Sequence, residues 1–329
     1  MLSLHHSLFL PEAVSEETRA FNEDLANRLA AEPDQWSFPP HVVRARREQG
    51  IGPFPAPVRI ERARDIWIGG AARGGTEGNL RLRLFLPQTG QPEGAFLHIH
   101  GGGWTFGGAD MQDLRLAEMA DRTGLLVASV DYRLAPEHPY PAAPDDCEAA
   151  ALWLIGQAAQ EFGLRRFSIG GDSAGANLAA VTLLRLRDWH GLTPFSAAVF
   201  IAGCFDLSLT PSARSWGAEK LVLNTRDIEM FVRMYLQNGE DPRSPDISPL
   251  TADLTGMPPA YFVAGTRDPL LDDTLFQATR WISSGNSATL DVFPGGCHVF
   301  QSFPLEISDQ SKSLIDNFLS VIMNRSTIT

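Results

Sequence analysis

Apolar runs alternate with amphipathic stretches from residue 94 to the C-terminal part of the chain. The runs are short enough to be buried strands, and the stretches between them have the apolar spacing of helices. The runs lie at residues 94–100, 125–131, 166–170, 196–203, 259–265 and 288–293. Strands that alternate with helices form βαβ units, whose sheets are buried on both faces. The pattern therefore predicts an α/β fold with a mostly parallel central sheet flanked by helices.

The N-terminal part of the chain has a different pattern. Residues 12–32 have the pattern of a helix, because Phe21, Leu25 and Leu29 recur at every fourth position and Ser15 can cap its N-terminus. Residues 57–68 and 79–87 alternate between apolar and polar side chains on either side of the glycine-rich stretch 69–78. This alternation predicts two antiparallel strands at the start of the sheet.

A long connection separates the strands predicted at 196–203 and 259–265. It runs from Phe205 to about Pro249 and contains one helical stretch of its own, at residues 227–236. Connections of this length in a compact domain are usually lids or binding elements. We therefore expect this segment to cover or line a site.

Ser173 is the first candidate for chemistry. It lies in the sequence Gly-Asp-Ser-Ala-Gly at residues 171–175, directly after a predicted strand and before a predicted helix. A tight strand-to-helix turn exposes the hydroxyl and places helix N–H groups beside it, as a nucleophile requires. Glycine-flanked serines also form ordinary turns and helix caps, so the motif alone leaves both interpretations open.

A second glycine-rich stretch, Gly101 to Gly103, follows the predicted strand at 94–100. Consecutive glycines are kept where the backbone must approach something closely, and here that could be an oxyanion. Acyl transfer develops negative charge on a carbonyl oxygen, which fixed N–H donors stabilise. The amides of Gly102, Gly103 and Ala174 are the candidate donors.

Nucleotide binding is the alternative explanation for both glycine-rich stretches. The dinucleotide pattern fails because Phe106 stands where its third glycine should be. The phosphate-loop pattern fails because Ala176 and Asn177 stand where Lys and Ser or Thr should be. Neither nucleotide motif is present.

The sequence resembles the hormone-sensitive-lipase-like (bacterial family IV) carboxylesterases of the α/β-hydrolase superfamily. The matching motifs stand in the family's order and cover roughly residues 80 to 320. They are His100-Gly101-Gly102-Gly103-Trp104, the Asp131 to Ala143 stretch, Gly171-Asp172-Ser173-Ala174-Gly175, Asp268-Pro269-Leu270 and His298. The resemblance implies the α/β-hydrolase fold with a helical cap.

The resemblance also implies a division of the chain. Residues 51–204 and 246–329 would form the hydrolase core. The N-terminal helices in residues 1–50 and the insertion at 205–245 would form the cap over the acyl pocket.

The base and the acid follow from chain order, because α/β-hydrolases place Ser, then Asp or Glu, then His. Only His190 and His298 follow Ser173. His190 ends the helix that begins at Ser173, about 20 Å away at 1.5 Å per residue, so we expect it to cap that helix. His298 follows a strand and a turn, which makes it the predicted base, and Asp268 at the end of the preceding strand is the predicted acid.

Two further aspartates follow Asp268. Asp272 and Asp273 are expected in the first turn of the next helix, where negative charge suits the helix dipole. One residue departs from the family: Val299 stands where the family commonly has glycine. Valine restricts the backbone just after the base, so it could tilt this loop.

The pocket is expected to be aromatic. Trp104, beside the glycines, is predicted to form the core-side wall, and Trp216 and Phe231 the cap side. Further cap-side candidates share apolar character and position in the proposed cap; they are Trp36, Phe38, Leu223 and Tyr235. Ordinary packing is the alternative for every aromatic in this set.

Two other clusters look chemical but have simpler explanations. Asp131, Glu137 and His138 lie in a stretch whose prolines and Arg133 favour a rigid scaffold under the nucleophile. His98 and His100 face the same side of a strand but have no third ligand at metal-site spacing, so we expect no metal.

Charge excludes other partners. The formal net charge of −12 argues against nucleic acid and anionic membranes, which bind clustered Lys and Arg. The basic cluster at residues 44–47 is expected to be a solvated helix face. The start of the chain makes a poor secretory signal, and no run is long enough to span a membrane.

The three cysteines, Cys147, Cys204 and Cys297, imply no disulfide framework, and a reducing cytoplasm is expected. Cys297 adjoins His298 but is expected to be a buried apolar residue rather than a nucleophile. No cofactor is expected, and the resemblance implies a homodimer through an edge strand as an open alternative.

The function expected is hydrolysis of short- to medium-chain carboxylic esters, through an acyl-enzyme on Ser173 with His298 as base and Asp268 as acid. Two alternatives stay open. One is an amidase or arylformamidase with the same three residues. The other is a non-catalytic receptor for a small ligand on the same fold.

Overall fold

Eight strands form one sheet in the computed structural model, which describes residues 4–69 and 79–323. They are β1 (Arg64–Gly69), β2 (Asn79–Phe85), β3 (Gly94–Ile99), β4 (Leu126–Val130), β5 (Arg166–Asp172), β6 (Phe195–Ile201), β7 (Ala260–Arg267) and β8 (Ala288–Cys297). Their order is β1-β2-β4-β3-β5-β6-β7-β8. The β1–β2 and β2–β4 pairs are antiparallel, and the other pairs are parallel. The predicted α/β fold with a mostly parallel sheet is confirmed.

Helices cover both faces of the sheet. They are α1 (Glu16–Ala31), α2 (Pro40–Glu48), α3 (Asp113–Thr123), α4 (Ala142–Trp153), α5 (Ala159–Phe162), α6 (Ala174–His190), α7 (Pro211–Ser215), α8 (Thr225–Tyr235), α9 (Leu271–Ser283) and α10 (Glu306–Met323). A π-helical turn at Leu154–Ala158 joins α4 to α5.

Two apolar clusters fill the space between sheet and helices. Side chains alternate along each strand, so Leu97 of β3 belongs to one cluster and the adjacent Phe96 to the other. The first cluster includes side chains of α4, α6 and α9, and the second includes side chains of α1, α3 and α10. Both faces are buried, which is why these strands appear in the sequence as continuous apolar runs.

The first strand is shorter than predicted. It begins at Arg64, whereas alternation suggested residues 57–68. Pro53, Pro55 and Pro57 precede it, and proline has no N–H for a strand ladder, so the chain joins the sheet only beyond them. Its pairing with β2 is antiparallel, as expected. The glycine-rich connection between the two strands lies, apart from Gly69, outside the described residues.

The N-terminal helix begins where its cap predicts. Ser15 accepts a hydrogen bond from the amide of Thr18 at 3.1 Å, and α1 starts at Glu16 rather than at residue 12. Leu25 and Leu29 are buried, so the four-residue spacing marks the face that packs on the sheet.

The basic cluster at residues 44–47 is not the solvated face that we expected. Arg44 donates to the backbone carbonyls of Thr105 and Ala135 and pairs with Glu137 at 2.7 Å. Its neighbour Arg47 lies over the ring of Phe106 at 4.3 Å. Arginine stems cover apolar surface while their planar heads stack and donate, so these side chains attach α2 to the loop after β3.

The insertion at 205–245 contains α7 and α8 and contacts the N-terminal segment. The amide of Gln35 and the indole N–H of Trp36 both donate to Asp227 of α8, at 2.9 and 2.7 Å. The Trp36 ring also meets the edge of Phe231, with 5.0 Å between centroids. These contacts join two stretches of chain that the sequence assigned to one cap; the division into 1–50, 51–204, 205–245 and 246–329 remains a prediction.

A buried carboxylate fixes the start of the insertion. Asp273, in the first turn of α9, accepts from the amides of Phe205 and Asp206 at 2.7 and 2.9 Å and from the hydroxyl of Thr210 at 2.5 Å. Asp272 accepts from the amide of Ser212 at 2.8 Å. Both aspartates lie in the predicted first turn, but their main contact is the insertion. Burial raises the pKa of Asp273 to about 7, although three hydrogen bonds act against this.

We expect an Asp273→Asn variant to change how stability depends on pH. A raised pKa means that the folded protein binds a proton that the unfolded chain has lost, so this contribution disappears as pH rises from about 4 through about 7. The wild type should lose stability relative to the variant over that range, by roughly 4 kcal/mol at most. Urea unfolding of both proteins from pH 4 to 9 measures the difference.

Asparagine keeps an acceptor for the two backbone amides, so the comparison isolates the charge. Parallel stability curves for the two proteins across this range would contradict the assignment.

Candidate active site

Ser173 occupies a sharp turn between β5 and α6. Its φ and ψ of 56° and −120° are far from the regions that L-residues prefer, so the turn is strained. Gly171 and Gly175 flank it, and a Cβ at either position would overlap the carbonyl oxygen of Ile99. Glycine is required at both positions because the turn lies directly against the end of β3.

A continuous line of hydrogen bonds joins the three predicted triad residues. The Nε2 atom of His298 lies 2.9 Å from the Oγ of Ser173. Its Nδ1 lies 3.1 and 3.0 Å from the two oxygens of Asp268. A carboxylate only accepts, so Nδ1 carries the proton and Nε2 is free to accept from the serine hydroxyl. The structure brings together all three side chains, which are distant in sequence.

Burial holds this arrangement in place. Asp268 is 1% exposed and His298 4% exposed. Asp268 follows β7 and also accepts from the amide of Leu270 at 2.9 Å, which fixes its orientation. His298 follows β8, so acid and base are carried by neighbouring strands of the sheet.

Val299 takes a left-handed conformation, with φ of 48° and ψ of 43°. A β-branched residue is strained there because its Cβ crowds the backbone. The side chain is nevertheless buried and lines the pocket. The departure noted in the sequence is therefore a strained residue directly after the base.

The loop of Gly101 to Gly103 lies beside Ser173. Gly102 and Gly103 have φ of 114° and 60°, and the carbonyl of Gly102 accepts from the amide of Phe106 at 2.9 Å. Within the part of the chain that the structure describes, the amides of Gly102, Gly103 and Ala174 donate to no acceptor. A side chain at Gly103 would overlap the ring of Phe231. Three donors thus remain available next to the serine.

The Asp131 to Ala143 stretch supports this loop from below. Tyr132 donates its hydroxyl to the carbonyl of His100 at 2.9 Å, and its ring stacks on the imidazole at 4.1 Å. The amide of Ala135 donates to the carbonyl of Trp104 at 2.8 Å. Arg133 pairs with Asp146 of α4 at 2.9 Å. The contacts fit the scaffold role expected from the sequence.

A cavity of about 510 Å³ opens next to the serine. Ser173, His298, Trp104, Phe231, Leu223 and Ile228 are among the side chains that line it. Trp104 is 2% exposed and stacks on Tyr235, with 4.6 Å between ring centroids. The cavity is shaped mainly by apolar side chains, as small-molecule sites generally are.

The expectation for Trp216 needs correction. Trp216 is not among the described residues that line the cavity. Its indole N–H donates to the carbonyl of Glu219 at 2.8 Å, and the guanidinium of Arg267 lies over its ring at 5.8 Å. These contacts turn the ring toward the surface of the insertion. Trp36, Phe38 and Tyr235 likewise pack against neighbouring rings and apolar side chains outside the described lining.

The two strand histidines have structural partners. His98 bonds to the hydroxyl of Ser129 at 3.0 Å, and His100 donates from Nδ1 to the carbonyl of Gly101 at 2.8 Å. Burial lowers the pKa of His100, so its ring is neutral. In residues 4–69 and 79–323, no group of three His, Cys, Asp or Glu side chains is arranged to hold a metal ion.

The remaining candidates are His190 and the three cysteines, of which Cys204 lines the cavity and donates its amide to the carbonyl of Ser173 at 3.4 Å. His190 does not cap α6 with its side chain; it bonds to Glu148 of α4 at 2.6 Å, because that carboxylate faces it across the helix pair. All three cysteines are free and buried. Burial raises the pKa of Cys297 to about 12, so this thiol stays protonated at neutral pH.

Comparison with known proteins agrees with this geometry. A family model described as the α/β hydrolase fold matches residues 96–302, which is more than half of the chain. The fold is also shared with an esterase of the bacterial hormone-sensitive lipase family, with a TM-score of 0.80 and 29% identity over 95% of this chain and 100% of that one. This chain belongs to the hormone-sensitive-lipase-like family of α/β-hydrolases.

Two other relatives support the assignment. A hyperthermophilic esterase from Pyrobaculum calidifontis superimposes with a TM-score of 0.82 and 32% identity, covering 94% of this chain and 99% of that one. The carboxylic ester hydrolase LipN of Mycobacterium tuberculosis is 35% identical over 236 residues, which are 69% of this chain. The aligned region spans 62% of the length of LipN, less than two thirds.

Within residues 4–69 and 79–323, every helix is too short or too polar to cross a bilayer.

Sequence reasoning missed several polar residues at the cavity wall, among them Gln35 and Arg47. Both precede the motifs of the family, so no motif marks them. The spacing of Arg44 and Arg47 was the available signal, since residues three apart share one helix face. Arg44 contacts the loop after β3, and Arg47 is therefore directed to the same side.

The backbone strain at Val299 can be tested by comparing the stability of its glycine and alanine variants. Either substitution of Val299 removes the two γ-methyl groups, but only glycine also removes the Cβ that is strained in the left-handed conformation. We expect Val299→Gly to be more stable than Val299→Ala by about 1 kcal/mol. Thermal unfolding of the two variants measures this order.

Val292 in β8 provides the control, because its backbone is extended and its side chain is also buried. There alanine should be the more stable replacement by roughly 0.5–1 kcal/mol. The same order at both positions would argue against strain at Val299.

Proposed function

We propose that this protein is a serine carboxylesterase with Ser173 as nucleophile, His298 as general base and Asp268 as the carboxylate that orients the base. The observation that carries the proposal is the unbroken line from Ser173 Oγ through both His298 nitrogens to the buried Asp268. A serine in a strained turn, bonded to a histidine that is itself held by a carboxylate, is the arrangement that activates a hydroxyl for acyl transfer.

Acylation would begin with proton transfer from Ser173 Oγ to His298 Nε2 as the oxygen attacks the ester carbonyl. The imidazolium that forms is stabilised by Asp268, which remains ionised. His298 then protonates the leaving alcohol, which completes the acyl-enzyme. In the second half, His298 activates a water that releases the acid.

The oxyanion would be held by the amides of Gly102, Gly103 and Ala174. Ala174 begins α6, and the first N–H groups of a helix have no partner inside it. The two glycine amides have no acceptor in the described structure either. Donors of this kind typically contribute about 10²–10³ each to the rate, because they meet charge that appears only in the transition state.

The contacts of Gln35 and Trp36 with Asp227 and Phe231 of α8 support a cap over the pocket, formed by residues 1–50 and 205–245. Phe231 of α8 and Gln35 of the N-terminal segment both line the cavity, so these stretches enclose it opposite the core. A preference for short- to medium-chain acyl groups, a cytoplasmic location and a homodimer remain predictions. The amidase alternative uses the same three residues and differs only in the leaving group.

Replacing Ser173 with alanine should reduce kcat/KM for p-nitrophenyl butyrate by roughly 10⁴–10⁶-fold. The variant loses one oxygen, so its thermal unfolding should match the wild type. A fluorophosphonate should phosphonylate Ser173 in the wild type with loss of fluoride, which adds the mass of the reagent less HF, and should leave the variant unmodified.

The matching butyranilide tests the alternatives in the same assay. Turnover of the ester with a far slower anilide supports an esterase, whereas comparable rates would favour the amidase. Binding of ester without turnover by the wild type would favour the receptor and contradict the proposal.

Phe231 and Trp216 form a matched pair for the acyl pocket. The ring of Phe231 lies on Gly103, so Phe231→Ala should lengthen the cavity. The ratio of kcat/KM for p-nitrophenyl decanoate to kcat/KM for p-nitrophenyl butyrate should then rise by roughly tenfold. Trp216→Ala, outside the lining, should leave this ratio unchanged. A ratio that responds to Trp216 but not to Phe231 would show that the pocket is misassigned.

A further inference from the structure

A cation lies in the wall of the cavity that contains Ser173. It is Arg47 of α2, whose guanidinium lies 4.3 Å from the centre of the Phe106 ring. Phe106 meets the edge of Phe231, which in turn covers Gly103. Arg47 is thus separated from the oxyanion loop by two aromatic rings, those of Phe106 and Phe231.

The donors of Arg47 are poorly matched with acceptors. Its Nη2 donates to the side-chain oxygen of Gln35 at 3.0 Å. Its Nε is buried and has no acceptor in the described structure. A guanidinium carries five N–H donors, and buried polar groups in folded proteins are nearly always satisfied. An arginine that served only to fasten α2 would be expected to meet more acceptors.

No described carboxylate neutralises this charge. Its neighbours in the N-terminal segment are paired, Arg44 with Glu137 and Arg46 with Glu32. The negative charge of Asp227 attracts Arg47 through space, but the two side chains form no ion pair. The oxygens of Asp227 are already occupied by Gln35, Trp36 and Lys220.

Arg47 nevertheless carries its positive charge at neutral pH. Burial lowers its pKa to about 10, which still leaves it protonated at neutral pH. A buried, unpaired charge is costly, and a carboxylate that meets a guanidinium in two parallel hydrogen bonds offsets that cost.

We propose that Arg47 binds a carboxylate on the substrate, so that the protein prefers esters that carry a second, free carboxyl group. This inference rests on the proposed esterase function. The carboxylate can belong to the acyl part, as in a half-ester of a dicarboxylic acid, or to the alcohol part. Both present the same group to the arginine fork. The overall charge of −12 repels an anionic substrate, and cations at the cavity offset that repulsion locally. Arg115 and Lys312 also line the cavity, but Arg115 pairs with Asp316 at 2.5 Å and Lys312 with Asp309 at 3.5 Å.

Two matched pairs of substrates test the proposal. Mono-4-nitrophenyl adipate and 4-nitrophenyl hexanoate differ in a carboxylate on the acyl part, and 4-carboxyphenyl butyrate and phenyl butyrate differ in one on the alcohol part. The measured quantity is the ratio of kcat/KM, charged over neutral, after subtraction of the uncatalysed rate. Arg47→Met should lower this ratio by roughly 10- to 100-fold in at least one pair.

Two further variants separate charge from packing. Arg47→Lys keeps the charge but not the fork, so its ratio should fall less than that of Arg47→Met. Arg46→Met removes a neighbouring cation that is paired with Glu32 and does not line this cavity, and its ratio should equal that of the wild type. The pair that responds shows which part of the ester carries the carboxylate.

Other outcomes overturn the inference. If Arg47→Met lowers kcat/KM equally for charged and neutral members and also lowers the unfolding temperature, Arg47 is only a structural tie. If the ratio of kcat/KM, charged over neutral, is the same in Arg47→Met as in the wild type for both pairs, Arg47 does not bind a substrate carboxylate. Failure of the wild type on both the charged and the neutral member of each pair would instead reject the esterase function itself, and the inference with it.

Discussion

The close approach of two backbones at the end of β5 is the constraint on which the site depends. Gly171 and Gly175 have no room for a Cβ beside the carbonyl of Ile99, so the turn that carries Ser173 lies against the end of β3. That contact places the start of α6 next to the loop that follows β3. This backbone contact alone therefore places the serine hydroxyl next to the first amides of α6 and the amides of the loop after β3. The positive φ of Ser173 is the strain that this arrangement requires.

Buried carboxylates hold the outer parts of the molecule on this centre. Asp227 gathers donors from Gln35 and Trp36 and so joins the N-terminal segment to α8. Asp273 gathers two amides and a hydroxyl and so fixes the start of the insertion on α9. Each carboxylate satisfies several donors that would otherwise be buried without partners, which is why irregular segments can lie over the sheet.

Much of the fold followed from local pattern, because parallel strands buried on both faces are continuous apolar runs. The positions of Ser173, Asp268 and His298 followed from motif and chain order, since each motif ends a strand and strand ends share one edge. Features that depend on distant contacts did not follow. Trp216 and Arg47 illustrate this: the direction of Trp216 is set by Glu219 and Arg267, and that of Arg47 by Phe106 and Gln35. The spacing of Arg44 and Arg47 indicates a shared helix face, but neither that spacing nor a motif identifies the side chains that these residues contact.

The burial of α6 determines which parts of the molecule can move. From Ala174 to Leu186 every residue of this helix is buried, so it contacts protein on all sides. Tilting it would open packed interfaces on several sides at once. Any rearrangement that admits a bulky molecule must therefore occur in the layer above, where residues 35–58 and 205–235 meet the cavity through loops and short helices. The nucleophile is therefore attached to a helix that is held on all sides, and adaptation to different molecules is left to the covering segments.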